Sequence, residues 1–523
     1  MDADCDREPA LRGRVCDTDN GVCVDRSALQ ALAVQPSVLC ESTELCTEQN
    51  NDEPSLCRSP GLPCVPLQTR DCPRVSGPWR APNALLFGSI GSLTLRNSFD
   101  GDPAPQHFAD RLIDAIDLGL DEWQTELPNG LAFSKRPIAL VHCDGQGDAR
   151  QSERVMDHLV SSVKAPLVIA LGDLDLAAAT EQAVSSDTAL LCATCFTRGT
   201  ESSFDQGLLW RVQPPLEQQA PLAAWRVSDL ERAIRRERIP SADARVRVAQ
   251  LGQQYPGITA FSESARSLLA FNGGKTAAQN VGDFLEIQSP DPTVEAVDHL
   301  QIALRIVAFQ PDIILVAIDT DFTTYYLPMI ENAWPEASPR PFYVATILNE
   351  DSALFAPVVG NDDELRRRIS GTGLFVDAEV ARNASAFAER FQEKYERPPP
   401  ANVEFGYDAF YAAAYAAVLA DRDRRFGGAA LVEGFVNLRA GLSVEVSPTA
   451  LKLGVGYLLS DQDIDLIGTS SRLDWDLTSH QISNDVALWC LSRGAGGSLT
   501  LERDAGPRWQ STSGQITGAY GCE

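Results

Sequence analysis

The feature that most constrains this chain is a series of short, largely apolar runs separated by amphipathic stretches. From residue 83 the runs are NALLFG (83–88), PIALVH (137–142), PLVIALG (166–172), TALLCAT (188–194) and LLWRV (208–212). A strand with one wet face alternates apolar and polar residues, and these runs do not. They predict parallel strands covered on both faces by the intervening segments, of which 108–123 and 152–163 have helical apolar spacing. The rhythm restarts after a charged helix around 227–236. Further strands fall at RVRVAQL (245–251), FLEIQ (284–288), DIILVAI (312–318) and PFYVAT (341–346), with helices at 258–270, 294–308 and 325–333. The expectation is an α/β chain of two doubly wound parallel-sheet lobes in tandem.

Length agrees, because 523 residues are too many for one simple core. A formal charge of −28 argues against nucleic acid or an anionic membrane as partner, since both carry the same sign. No apolar run approaches the roughly 20 residues that span a bilayer. No signal peptide is visible at MDADC, so an exported chain would have lost its leader before this start.

The cysteines set the first segment apart. Of thirteen, eight (Cys5, Cys16, Cys23, Cys40, Cys46, Cys57, Cys64 and Cys72) crowd a stretch rich in Asp, Glu, Pro and Gly. Such density predicts a disulfide-stapled module over 1–75, followed by a linker at 73–82. Zinc fails on spacing, because the stretch has no C-x-x-C pair and no histidine. An oxidising, exported location follows. In DTDNG (17–21) the glycine comes one position early for a calcium loop, and DQDID (461–465) is followed by Leu466 where glycine is needed, so both read as turns.

The stretch FAERFQEKYERPPPANVEFGYDAFYAAAYAAVLA (387–420) carries the most specific signal. Phe387, Phe391 and Tyr395 share one helical face, Pro398–Pro400 end that helix, and an alanine-rich second helix follows with Tyr407, Asp408, Phe410, Tyr411 and Tyr415. Its aromatics read as packing and Asp408 as a helix cap. This pattern resembles the type I periplasmic solute-binding proteins, in particular the leucine/isoleucine/valine-binding proteins of ABC transporters. LIGTSSRLDWD (466–476) is similar to that family's C-terminal Gly-x-x-Gly-x-hydrophobic-x-Phe-Asp segment, with Trp475 for Phe and Ser471 where the second glycine would stand. The resemblance covers about 83–492. It implies lobe 1 at 83–215 plus about 375–455, and lobe 2 at about 216–374 plus 456–523.

In open parallel sheets a ligand sits beyond the carboxyl ends of the strands. That rule selects the loops 89–92, 144–147, 173–175, 194–197, 319–321 and 347–350. The resemblance implies ligand contacts at Ser92, Asp175, Ala193, Thr194, Thr197, Tyr255, Asp319 and Glu350, with Glu350 and Asp319 as acidic partners for an ammonium. Asp175 stands where the family places a serine. Its charge would repel a ligand carboxylate by about 1 kcal/mol at about 4 Å in water, and by about 4 kcal/mol at an effective dielectric of about 20. That favours a cationic, polyol or larger polar ligand over an ordinary α-amino acid. Helix N-capping is the plain alternative for Asp173 and Asp175, and lobe packing for Tyr255.

Catalysis finds no support. The five histidines form no H-E-x-x-H or H-x-H, and neither a G-x-S-x-G elbow nor a P-loop occurs. Cys192 and Cys195 sit at the end of a buried strand, which suits a local disulfide rather than a redox pair. The reading is therefore an exported periplasmic or envelope-attached protein, not an enzyme, that needs no cofactor and no metal. It would capture a small polar molecule (an amino acid or related compound) for a membrane permease or sensor. The cysteine-rich module would serve as an envelope tether. The competing reading is an interaction protein whose cleft no longer binds a small molecule.

Overall fold

The computed structural model describes residues 14–17, 22–25, 40–94, 108–197, 205–237, 245–291, 296–494, 496–504 and 506–522. The chain divides into two compact units, Met1–Thr69 and Arg70–Glu523.

In the first unit, strands Arg14–Asp17 and Val22–Asp25 pair antiparallel with Cys16 opposite Cys23. The Ser42 hydroxyl caps helix Thr43–Gln49 by accepting from the Leu45 N–H at 3.2 Å. Disulfides Cys40–Cys57 and Cys46–Cys64 link this helix region to the strand pair Ser55–Leu56 and Val65–Pro66. Cys5 and residues 18–21 of the DTDNG turn lie outside the described residues, as do the side chains of Cys16 and Cys23. Cys72 does not belong to this module as expected. It is bonded to Cys143 in the second unit, because Arg74–Ser76 already pairs with a sheet strand there.

Among the described residues the second unit contains two large sheets and two two-stranded ones. The first begins with β1 (Arg74–Ser76), β2 (Leu85–Gly91), β3 (Ile138–Asp144), β4 (Leu167–Gly172), β5 (Ala189–Thr194) and β6 (Leu209–Arg211). Every residue of β2, β3 and β5 is buried, as continuous apolar runs require. The second sheet takes β7 (Val248–Gln253), β8 (Phe284–Ser289), β9 (Ile313–Ala317), β10 (Phe342–Ala345) and β11 (Ile369–Leu374). Six strands close the chain, five of them short around the eight-residue β14: β12 (Trp475–Asp476), β13 (Gln481–Ile482), β14 (Val486–Arg493), β15 (Leu499–Glu502), β16 (Arg508–Trp509) and β17 (Ile516–Thr517). The first sheet runs β12-β13-β6-β5-β4-β2-β3-β1, and the second runs β8-β7-β9-β10-β11-β14-β16-β17 with β15 also on β14. In each, the central pairs are parallel.

One crossing differs from expectation. The resemblance implies lobe 2 for 456–523, but β12 and β13, within 475–482, extend the first sheet, with Gln481 in parallel register with Arg211. The indole N–H of Trp475 donates to the Arg211 carbonyl at 2.8 Å, and its ring packs on Trp210 at 5.8 Å. Burial of Trp475 therefore holds this segment to lobe 1, and the chain's last crossing falls between β13 and β14.

Helices α1 (Phe108–Glu126), α2 (Ala149–Asp157), α3 (Leu176–Ser185), α4 (Ala220–Glu237), α5 (Pro256–Leu268), α6 (Ala378–Tyr395) and α7 (Glu404–Arg422) cover the sheets. α6 and α7 are the expected aromatic hairpin, and they lie on the first lobe. Trp123 of α1 meets Phe410, Tyr411 and Tyr415 of α7 edge-on at 6.4, 6.2 and 5.4 Å. A side chain at Gly119 would meet Phe410 at 2.8 Å, so glycine allows this approach. Glu122 gathers the polar tips, accepting from Tyr411 at 2.9 Å, from Arg390 at 2.8 Å and from Tyr407.

Asp408 does not cap α7. Its buried carboxylate accepts from the N–H and hydroxyl of both Thr469 and Ser470, at 2.6 to 3.0 Å. It thereby ties the hairpin to the 466–476 segment, so the two stretches with a family likeness are bonded to each other.

Candidate functional site

In the first lobe β4 leads through residues 173–175 into α3. Asp175 occupies the N-cap position of α3 but makes no capping bond. It accepts instead from Ser152 of α2 at 2.5 Å and from Ser92, beyond β2, at 3.2 Å. A side chain at Gly145 would meet its carboxylate at 2.2 Å, so glycine lets the loop after β3 close over it. Asp173 accepts from the Phe196 N–H at 2.8 Å and the Thr197 hydroxyl at 2.5 Å, both just beyond β5. Burial raises both carboxyls above the usual range, and the bonds they accept pull them partly back. The guanidinium of Arg211 also favours the charged form of Asp173.

Two expected contacts of this lobe face elsewhere. Ala193 is fully buried in the sheet core. The Thr194 hydroxyl donates to the Leu171 carbonyl of the neighbouring strand. Both lie before the turn at Cys195, which is disulfide-bonded to Cys192, so only Thr197 reaches the Asp173 loop.

In the second lobe Asp319, beyond β9, accepts from the Asp321 N–H at 3.0 Å, and the nearby Gln253 side chain favours its charged form. The Asn349 amide donates to the Asp319 carbonyl at 2.9 Å. Burial, with Asp321 and Asp291 nearby, pushes Asp319 up to about 6. Tyr255 stands at the start of α5 and joins the lobes. Burial holds its hydroxyl well above the usual range, reinforced by Asp173, Asp291 and Asp175 and opposed by the nearby Asp173 backbone. Two residues on, a side chain at Gly257 would lie 2.4 Å from Phe196, so α5 meets the first lobe through bare backbone.

Glu350 is placed differently from its expected role. Its carboxylate pairs with Arg503 at 2.8 Å, lies against Gly373 and is pushed up to about 7 by burial. Arg503 follows β15, so the C-terminal strands supply a cation to the acidic residue expected to hold an ammonium. Of the eight expected residues, the structure thus gathers Ser92, Asp175, Thr197, Tyr255 and Asp319 where the lobes face each other. The crevice rule selected the loops that hold Asp173 and Asn349 without giving either residue this role, and sequence reasoning missed Ser152 and Gln253. Gln253 ends β7, a strand end the same rule could have supplied, whereas Arg503 had no local signal.

Solved structures with the same arrangement cover most of the chain. A periplasmic binding protein type 1 from Bordetella pertussis Tohama I superposes with a TM-score of 0.55 at 13% identity, over 80% of this chain and 100% of that one. The fold is that of the type I periplasmic binding proteins. Within this binding-protein fold, an ABC-transporter solute-binding protein from Rhodopseudomonas palustris BisB5, bound to 3,4-dihydroxybenzoic acid, matches with a TM-score of 0.55 at 11% identity, over 82% and 98% of the two chains. A leucine-binding protein from Thermotoga maritima matches with 0.53 at 13% identity, over 83% and 99%. No protein-family profile matches the sequence, and no curated protein matches it. In the binding-protein fold the gathered set is rich in carboxylate and amide oxygens, which suits holding a polar molecule by hydrogen bonds.

Proposed function

We propose that the chain is a solute-binding protein that takes a small polar molecule between its lobes. The observation that carries this reading is the convergence of Asp173 and Asp175 from one sheet with Tyr255 and Asp319 from the other, at strand carboxyl ends. Ligand would favour the closed arrangement of the lobes, and a membrane permease or sensor would read that form. The ABC-transporter proteins that share the fold support this partner class. Binding rather than catalysis is the reading. The disulfides Cys40–Cys57, Cys46–Cys64, Cys72–Cys143, Cys192–Cys195 and Cys490–Cys522 support an exported, oxidising compartment, the periplasm or cell envelope. No helix among the described residues is long and apolar enough to cross a membrane. Attachment through the cysteine-rich unit is part of the same proposal.

Thermal unfolding with a panel of amino acids, polyamines, sugars and aromatic acids tests it. A true ligand at about 100 times its dissociation constant adds about 2.7 kcal/mol of stability. A panel in which nothing shifts the melt contradicts the reading and favours an interaction protein with a silent cleft.

A further inference from the structure

The second-lobe half of the site has unused acceptors. Gln253 is 4% exposed and Asn349 0% exposed. Asn349 Nδ2 donates to the Asp319 main-chain carbonyl at 2.9 Å, and the Gln253 side chain lies close enough to the Asp319 carboxyl to favour its charged form. Their oxygens, Gln253 Oε1 and Asn349 Oδ1, are buried without a hydrogen-bond partner. A buried amide oxygen with no donor costs about 1–3 kcal/mol, so two beside one carboxylate mark where a donor-rich group belongs.

Charge selects the kind of donor. Asp319 lies near Asp321 and Asp291, and across the cleft are Asp173, Asp175 and Asp144. Among the described residues, the guanidinium of Arg211 near Asp173 offsets part of this, and His299 Nε2 lies 3.2 Å from Asp321. Asp175 is held by two hydroxyls rather than by a cation. A neutral donor would satisfy the amides but not the charge, and a carboxylate would face repulsion from both lobes.

We propose that the ligand is a carboxylate-free amine or guanidine whose cationic nitrogen sits in the second lobe on the Asp319 carboxylate, Gln253 Oε1 and Asn349 Oδ1. This rests on the solute-binding reading above. A protonated amine brings three donors to these three acceptors, and a guanidinium five. Asp173 and Asp175, on the opposite lobe, suit a second amine or a hydroxyl at the far end of the same molecule.

Isothermal titration of the full chain with agmatine, putrescine, leucine, glucose and 3,4-dihydroxybenzoate tests this. Agmatine or putrescine binds, and leucine and the benzoate do not. Asp319→Asn and Gln253→Leu each weaken amine binding by about tenfold or more, the weight of one charged hydrogen bond. Asp319→Glu recovers part of the loss. Binding of leucine or the benzoate without amine binding overturns the cation and leaves the solute-binding reading standing. Amine binding that both substitutions leave unchanged also overturns it, since the acceptors then hold only water. No heat from any compound sinks the solute-binding reading and this inference with it. Selectivity of the unsubstituted chain decides the matter even where a variant fails to fold.

Discussion

At the residue scale, Asp408 and Glu404 separate what the sequence says from what only packing says. Replacing Asp408 with alanine leaves two N–H groups and two hydroxyls of residues 469–470 buried without their acceptor. The expected loss is about 3 kcal/mol, read from urea unfolding, and a loss below about 1 kcal/mol would contradict this role. Glu404, one turn earlier, is pushed up to about 7 by burial, with Asp408 and Glu350 adding to the effect and Arg503 opposing it. A carboxyl raised in this way keeps its proton in the fold where the unfolded chain has lost it. Its contribution is complete below about 4.5 and disappears as pH rises through about 7. Glu404→Gln should therefore gain stability relative to the parent between pH 5 and pH 8, measured as the difference in melting temperature. A difference that stays flat, or that shrinks, would contradict the assignment. Asp408 was legible as an important letter but not as this contact, because its partners lie about sixty residues away. Glu350 was legible as an acid at a strand end, but its pairing with Arg503 depends on terminal strands whose pattern carries no local mark.

At the element scale, the long strands were legible because burial on both faces leaves them largely apolar, with few polar letters and little alternation. The α6–α7 hairpin was legible because the prolines fix its break and the rings fix its face. The two-residue strands β12 and β13 were not legible. Two residues show no period, and their place was decided by Trp475 packing on Trp210. The first edge of the sheet was missed for a similar reason, since β1 is three residues long and was read as linker. The disulfide Cys72–Cys143 fixes that edge and closes a loop of 71 residues. Chain-entropy arguments give such a closure about 4 kcal/mol, so the paired Cys72→Ser, Cys143→Ser variant should lose that order of stability in denaturant unfolding. An unchanged midpoint would mean the edge strand holds without it. The candidate site was half legible for the same physical reason. Strand ends mark where a ligand can sit, but whether a side chain points into the crevice or back into the sheet is set by register, which turned Ala193 and Thr194 away.

At the scale of the whole molecule, two parallel sheets face each other through loops that carry more carboxylates than cations. The lobes already touch where Phe196 meets the backbone at Gly257, and Tyr255 reaches from one lobe to the Asp173 loop of the other. A molecule held between them should therefore slow the motions of both lobes at once, because each lobe supplies part of the site. Hydrogen–deuterium exchange of the full chain, with and without a compound that shifts its melt, tests this most directly. The account predicts simultaneous protection of the backbone at 173–176 in the first lobe and at 253–257 and 319–321 in the second. Protection confined to one lobe, or to surfaces away from these loops, would contradict a ligand bound between them.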